Sequence, residues 1–274
     1  MKARRNLLGP ILAAVSIFVA VCLLGGVALS ATDRPQVGRP AVAFQADVSS
    51  FPTDSPDLHQ RKPTVVEADD KPRPRPTLVV DIPGDLPITA RPGSGRVIGT
   101  MPGGSRYYDE PLKAVVFERS GNGRFGRVSI PYSGSRTTGW IRIQGLGLSS
   151  TPYGVHADLS EHTVTVTRLG KVVMRFPAAT GAAASPTPVG DYFVTDRVAI
   201  VPSNSFGSYA FGLSGIQTNL PAGWSGGDQL AIHGTQDPSS IGTSASAGCL
   251  RVTERALDRL KPLLQLGTPV TVTP

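Results

Sequence analysis

Short apolar runs separated by glycine and proline dominate the chain from residue 77 to about residue 150. Runs of this length, rich in β-branched residues, predict strands, and nothing in this region has helical periodicity over a useful length. The candidate strands are residues 78–80, 97–98, 114–117, 128–130 and 140–143. The pattern therefore predicts a small all-β barrel.

Strand patterns continue from residue 151 to the end of the sequence. Residues 163–167 alternate between polar and apolar, and a Leu169-Gly170 turn joins them to residues 171–176, which predicts a hairpin. A short apolar run then ends at His233. This second unit is predicted to be mostly β, with one helix packed against it.

The helix is predicted after the second cysteine. Thr253 is a candidate N-cap, with Glu254 in the first turn. Apolar residues recur at helical spacing between Val252 and Leu260, and Pro262 marks the end.

The N-terminus carries a pattern of its own. Lys2, Arg4 and Arg5 precede an uncharged apolar run over residues 7–29, which exceeds the roughly 20 residues that cross a bilayer as a helix. The positive flank predicts that everything after this run is exported to the cell envelope. Small residues at its end could also be cut by a signal peptidase, so anchor and cleaved signal both stay open. The membrane is an expected partner if the segment is uncleaved.

A proline-rich stretch follows, with too little apolar surface to offset the entropy of ordering it. The sequence thus predicts four parts. They are a signal peptide or membrane anchor (1–30), a disordered linker (31–76), a β module (77–150) and a C-terminal domain (151–274).

Composition narrows the possible partners. Lys and Arg number 27 and Asp and Glu 20, a net charge of +7, but no dense basic run is interleaved with aromatics. Nucleic-acid binding is therefore not expected. The basic excess in residues 77–150 would suit an anionic wall polymer or lipid surface, or simply a solvated face. Cys22 and Cys249 cannot form a disulfide scaffold, and export would leave Cys249 unpaired.

The candidate chemistry lies at His233 and Cys249. A thiol attacks as its thiolate, so a free cysteine needs a base or a cation to react near neutral pH. His233 is predicted at a strand end and Cys249 at a helix start, and the loop between them could bring them together as a Cys–His pair. No further His/Cys pair lies nearby, so no metal site and no cofactor are expected.

The residues around the cysteine fit such a role. Gly248 removes a side chain where a substrate carbonyl must approach. The backbone N–H groups of Ala247, Gly248 and Cys249, near the predicted helix N-terminus, are candidates for an oxyanion hole, and that N-terminus would lower the thiol pKa. A lone cysteine among small residues is more often structural, so the functional interpretation depends on the combination with His233 and Arg251.

His233-Gly234-Thr235 followed by Ser246-x-Gly248-Cys249-x-Arg251 resembles the catalytic motif of the L,D-transpeptidases, exported enzymes that cross-link peptidoglycan. Thr180-Gly181, residues 187–192 and residues 267–270 match that domain in order and spacing. The resemblance covers about residues 151–274. It implies a β-sandwich-like catalytic domain with one helix after the catalytic cysteine.

The resemblance also implies roles for residues. Cys249 would be the nucleophile and His233 the general base. The implied supporting residues are Ser246, Gly248 and Arg251. Gly234 and Thr235 of the matching motif and the backbone N–H of Ala247 complete the predicted set of supporting and oxyanion-hole residues. Many members have a histidine at position 247, so alanine there leaves the rate and the choice of acceptor open. Tyr209, Phe211 and Trp224 are candidate walls of the substrate cleft, although such aromatics could equally be core.

The implied reaction joins two peptidoglycan stem peptides. The Cys249 thiolate would attack the carbonyl of the third residue of a stem tetrapeptide and expel D-alanine. An amine of a neighbouring stem would then take the acyl group, giving a 3→3 cross-link. A site open to water would instead act as an L,D-carboxypeptidase, and a degenerate site would leave a non-catalytic wall-binding scaffold.

The first β module has a looser resemblance. Residues 86–94, 97–100 and 139–143 resemble bacterial SH3-like cell-wall modules. This implies either a wall-contacting module or a packing platform for the catalytic domain.

Overall fold

The structure is a computed structural model that describes residues 75–274, except residues 109, 134–136 and 202–204. The predicted N-terminal segment and almost all of the predicted linker lie outside the described residues. Among the described residues, no helix is long and apolar enough to cross a membrane. All of the described residues belong to one compact unit.

Seven strands form the first sheet. They are β1 (Thr77–Asp81), β2 (Leu86–Thr89), β3 (Val97–Met101), β4 (Lys113–Arg119), β5 (Phe125–Ser129), β6 (Thr138–Arg142) and β7 (Leu148–Thr151). Their order is β3-β2-β6-β5-β4-β1-β7. Each predicted run of apolar residues lies in or overlaps one of these strands. Most of the runs contribute buried side chains to one core, whereas Val97 and Ile98 of β3 are exposed and Met101 is the buried core residue of that strand. The likeness to SH3 modules stays a prediction.

Eight strands form the second sheet. They are β8 (Tyr153–Asp158), β9 (Thr163–Arg168), β10 (Lys171–Pro177), β12 (Gly190–Ala199), β13 (Tyr209–Ile216), β14 (Gln229–His233), β16 (Leu250–Arg251) and β17 (Pro269–Thr273). Their order is β10-β9-β8-β17-β12-β13-β14-β16, with parallel pairs at β8–β17 and β14–β16. The short strands β11 (Thr180–Gly181) and β15 (Ser244–Ser246) pair separately. The prediction of a mainly β fold is confirmed.

One α-helix, α1 (Glu254–Leu260), follows β16. The Thr253 hydroxyl accepts a hydrogen bond from the Ala256 N–H at 3.2 Å, so the predicted N-cap is confirmed. Ala256, Leu257 and Leu260 are buried against the second sheet. The prediction that the helix begins at Cys249 is wrong, because β16 and the cap stand between them.

Strand β12 joins the cores of the two sheets. Tyr192 and Val194 are buried in the core of the second sheet, whereas Phe193, which points the opposite way, is buried in the core of the first. Beside it, the Tyr132 N–H donates to the Ser214 carbonyl oxygen at 2.7 Å. The first sheet is therefore packed close to β12 and β13.

Candidate active site

His233 and Cys249 lie on adjacent parallel strands. His233 of β14 stands opposite Arg251 of β16, and continuing that register places Cys249 opposite Ala231. Because side chains alternate along a strand, His233 and Cys249 project from the same face. Both line one cavity of about 340 Å³. The structure thus brings together the two residues that the sequence singled out.

The Cys249 thiol is half-buried and uncharged at neutral pH. Burial raises its pKa to about 11, and the backbone hydrogen bond at Ala231 and the positive charge of Arg251 oppose this only in part. Among the described residues, the thiol contacts the carbonyl oxygen of Gln229 at 3.9 Å rather than the ring of His233.

The prediction that a helix N-terminus lowers the thiol pKa is wrong. Helix α1 begins only at Glu254, and its N-cap is Thr253. The influence of a helix dipole is confined to the first turn, and β16 intervenes between that turn and Cys249. The thiol instead lies in a tight bend before a strand.

The His233 ring is buried and held in one orientation. Its Nδ1 contacts the Gly234 carbonyl oxygen at 2.6 Å, and because a carbonyl can only accept, Nδ1 carries the proton and Nε2 is the basic nitrogen. Burial lowers the pKa to about 4, with a further decrease from Arg251. Backbone hydrogen bonds with Gly234 and Phe206 and the charge of Glu254 oppose this shift. The imidazole is therefore neutral at pH 7.

The bend that carries the cysteine is closed by Ser246. Its hydroxyl accepts from the Gly248 N–H at 3.0 Å and donates to the Cys249 carbonyl oxygen at 2.6 Å. Gly248 has φ +119°, and a Cβ there would collide with the side-chain amide of Gln217, so only glycine fits. Because the Gly248 N–H is already used, Ala247 and Cys249 remain as oxyanion-hole candidates.

Gly234 and Thr235 shape the chain beyond the histidine. A Cβ at Gly234 would collide with the Glu254 carboxylate, which explains the glycine. The Thr235 hydroxyl accepts from the Asp237 N–H at 3.0 Å, and Asp237 in turn caps the short helical turn Pro238–Ser240. Thr235 is not among the residues that line the cavity. Both residues therefore help to position the loop that follows His233.

Arg251 contributes through its backbone and its charge. Its N–H and carbonyl exchange hydrogen bonds of 3.0 and 2.9 Å with Ala179, which hold β16 in place. The guanidinium lowers the pKa of both His233 and Cys249.

Two of the three aromatic residues predicted for the cleft lie elsewhere. On β13, Ala210 and Gly212 line the cavity, whereas Phe211 is fully buried in the core and Tyr209 packs against it, with ring centroids 5.1 Å apart. Alternation along the strand puts the large residues inside and the small ones at the cavity. Trp224 does line the cavity.

Sequence reasoning missed several residues of the cavity wall. Gln217 donates to the Pro186 carbonyl oxygen at 2.8 Å and packs on Gly248. Phe206 contacts the His233 ring edge-on at 4.9 Å, and Tyr107 and Asp228 form part of the wall. Phe206 belongs to the Gly- and Ser-rich segment 203–227, which carries the predicted cleft residues Tyr209, Phe211 and Trp224, whereas nothing in the sequence connects Tyr107 to this site.

Comparisons with known proteins find one family for the C-terminal part of the chain. Residues 152–272 match the family model described as YkuD, the L,D-transpeptidase catalytic domain. The chain is similar to the protein named L,D-transpeptidase YkuD in Bacillus licheniformis, with 31% identity over 49% of this chain and 74% of that protein. The Bacillus subtilis protein of the same name is 29% identical over 44% of this chain and 66% of that protein.

Among solved structures, the chain is similar to L,D-transpeptidase 3 from Mycobacterium tuberculosis in complex with a faropenem-derived adduct. The identity is 15%, the TM-score is 0.40, and the match covers 71% of this chain and 98% of that one. The family assignment rests on the sequence matches.

Proposed function

Because this chain belongs to the L,D-transpeptidase family of YkuD type, we propose that it cross-links peptidoglycan stem peptides with Cys249 as nucleophile and His233 as general base. One observation carries the proposal. A half-buried thiol and a neutral imidazole project from the same face of two adjacent strands into one cavity. A nucleophile beside an oriented base is the arrangement that acyl transfer requires.

The first half-reaction acylates the cysteine. Sγ attacks the carbonyl of the third residue of a stem tetrapeptide while His233 Nε2 takes the thiol proton. The backbone N–H groups of Ala247 and Cys249 are the donors for the oxyanion that develops. When the tetrahedral intermediate collapses, the imidazolium returns its proton to the leaving nitrogen. D-Alanine departs and a thioester to Cys249 remains.

The second half-reaction transfers the acyl group. An amine of a second stem peptide attacks the thioester and loses a proton to His233, and the thiolate leaves and is reprotonated. The product is a 3→3 cross-link. Transfer must outrun hydrolysis, and the walls made by Phe206, Leu220 and Trp224 help to keep water from the thioester.

The proposed place of action is the cell envelope. An L,D-transpeptidase domain acts on the wall, and the charged flank and apolar run before residue 30 have the pattern of an export signal or anchor.

The test is intact-mass spectrometry of the full chain after incubation with a carbapenem, whose strained ring carbonyl acylates a reactive thiol. We expect one adduct, which is lost in Cys249→Ala and forms more slowly in His233→Gln. Cys22→Ala is the matched control and should react like the wild type. A folded chain with a titratable thiol but no adduct would contradict the proposal and favour a non-catalytic scaffold.

Stem tetrapeptide then separates the two possible acceptors. Release of D-alanine with formation of a cross-linked dimer supports transfer. Release of D-alanine with free tripeptide alone would contradict transfer and indicate an L,D-carboxypeptidase.

A further inference from the structure

The first sheet contributes side chains to the cavity of the second. Tyr107 and Tyr108, in the segment 105–108 between β3 and β4, are both among its lining residues. They are 52% and 57% exposed, although each carries a large aromatic ring. Exposed aromatic side chains at the mouth of a cavity are typical of surfaces that bind a ligand.

Asp228 holds this segment against the cavity. The Tyr107 hydroxyl donates to one oxygen of its carboxylate at 2.7 Å, and the Arg106 guanidinium donates to the other at 3.1 Å. Asp228 itself lines the cavity, and the next residue, Gln229, supplies the carbonyl that the Cys249 thiol contacts. The Arg106–Tyr107–Asp228 cluster is referred to below as the clamp.

The clamp is supported on both sides. The Arg106 N–H donates to the Tyr132 hydroxyl at 3.3 Å, and Tyr132 is bonded through its own N–H to β13. On the other side, Tyr107 packs on Gly227, whose carbonyl oxygen accepts from the Trp224 indole at 2.7 Å. Tyr107, Gly227 and Trp224 therefore form one continuous wall at the outer end of the cavity.

Stability alone is a weak explanation for this arrangement. The Arg106 and Asp228 side chains are 37% and 29% exposed, and ion pairs that exposed contribute on the order of 0–1 kcal/mol. What the clamp does fix is the position of the Tyr107 ring at the wall of the cavity that holds Cys249 and His233.

We infer that the clamp and Tyr108 form a specificity wall, a surface that selects the substrate. It contacts the part of the stem peptide that lies farther from Cys249 than the reacting carbonyl does. This inference rests on the proposed function and goes beyond it, because it assigns substrate selection to residues of the first sheet. Tyr107 and Tyr108 contact the peptide, and Arg106 acts as a positioning residue through Tyr107 and Asp228. A small acyl donor that reacts close to Cys249 does not reach this wall.

The test compares a long and a small acyl donor on the full chain. Tyr107→Phe removes only the hydroxyl bond to Asp228, and Arg106→Ala removes the ion pair. Each should raise KM for the stem tetrapeptide about fivefold, because the Tyr107 ring is no longer held where the peptide contacts it, with kcat nearly unchanged. The rate of acylation by a carbapenem should stay within about twofold of the wild type.

Arg127→Ala is the matched control. Arg127 lies in the same sheet and forms an exposed ion pair of 3.0 Å with Glu118 away from the cavity, so its loss should leave both reactions unchanged. Asp228→Asn preserves the size of the side chain and should reproduce the rise in KM if a variant at Arg106 fails to fold.

The outcomes distinguish the two proposals. If the clamp variants match Arg127→Ala on both substrates, the specificity wall is wrong. Equal losses with tetrapeptide and carbapenem would also overturn it, because they would indicate a general distortion of the site. A wild-type chain that no carbapenem acylates would overturn the proposed function itself.

Discussion

Cys249 and His233 are both uncharged at neutral pH, and this determines how the thiol reacts. The pKa of Cys249 is about 11 and that of His233 about 4, both moved by burial. A preformed thiolate–imidazolium pair needs the opposite order, with the thiol pKa below that of the imidazole. In the proposed mechanism the proton therefore passes from Sγ to Nε2 during the attack, once the substrate occupies the cavity.

The raised pKa predicts how alkylation of Cys249 depends on pH. Well below the pKa, the thiolate fraction grows about tenfold per pH unit, so the rate of reaction with iodoacetamide should rise almost tenfold per unit from pH 7 to pH 10. Mass spectrometry of quenched samples gives the rate, with the urea-unfolded chain as a reference that levels off near its ordinary thiol pKa. A plateau below pH 8 in the folded chain would indicate an activated thiolate.

The neutral, buried His233 predicts a loss of stability in mild acid. Its pKa is about 4 in the folded chain against 6.5 for the unperturbed side chain, so the unfolded chain binds more protons between these values. The free energy of unfolding should therefore fall by about 3 kcal/mol as the pH drops from 6.5 to 4.

Urea unfolding of wild type and His233→Asn at pH 7, 5.5 and 4 measures this contribution. The variant lacks the titrating ring. The difference in the free energy of unfolding between wild type and variant should therefore narrow or change sign towards pH 4. Parallel curves would mean that His233 titrates alike in both states.

Some side-chain positions could have been predicted and others could not. The order Tyr209-Ala210-Phe211-Gly212-Leu213 alternates large and small, which already indicates that the large residues share the core face. No comparable sequence pattern indicated the shifted pKa values of Cys249 and His233, because the burial of these side chains depends on elements distant in sequence.

Among the strands, the pairing of β13 with β14 contains an irregularity that Gln229 fills. The register shifts between Gly212 and Ile216, and the Gln229 amide lies 3.1 Å from the Leu213 carbonyl oxygen that the bulge exposes. The same amide nitrogen lies 2.7 Å from the buried carboxylate of Asp196. This side chain therefore connects three strands directly behind the thiol.

Replacing Gln229 by methionine should destabilise the fold. The variant keeps the length of the side chain but leaves buried acceptors at Asp196 and Leu213 with fewer donors, at a cost of about 1–3 kcal/mol. Urea unfolding measures the loss. Gln144→Met is the control at an exposed site and should change stability by less than about 0.5 kcal/mol. Equal effects at the two positions would contradict a structural role for the Gln229 amide.

Local sequence patterns predicted the helices and strands whose stabilising contacts lie close together in the sequence. Alternating residues gave the β9–β10 hairpin, and Thr253 gave the start of α1. Strand β16 escaped prediction because it is two residues long and is held by pairing with β14 and by the bridge to Ala179, both formed with residues outside its own segment. The same pairing explains why no helix begins at Cys249.

Across the whole described molecule, the two sheets depend on each other. Phe193 belongs to β12 of the second sheet but is buried in the core of the first. Tyr107, between β3 and β4, bonds to Asp228, just before β14, across 121 residues of sequence. The sequence predicts two β units but contains no local signal for contacts of this range. The candidate site is consequently a product of both sheets.

Because β12 contributes side chains to both cores, we predict that the two sheets unfold together. The chain has two tryptophans, Trp140 in β6 of the first sheet and Trp224 beside the cavity. In Trp140→Phe and Trp224→Phe, the remaining indole reports on one sheet, and the two urea transitions should coincide because neither core is complete without β12. Phe193→Ala should lower both midpoints together, with a cost of about 3–5 kcal/mol for the buried ring. If Phe193→Ala shifted only the Trp140 transition, the sheets would be independent folding units, and loss of the first would leave the Cys249–His233 arrangement intact.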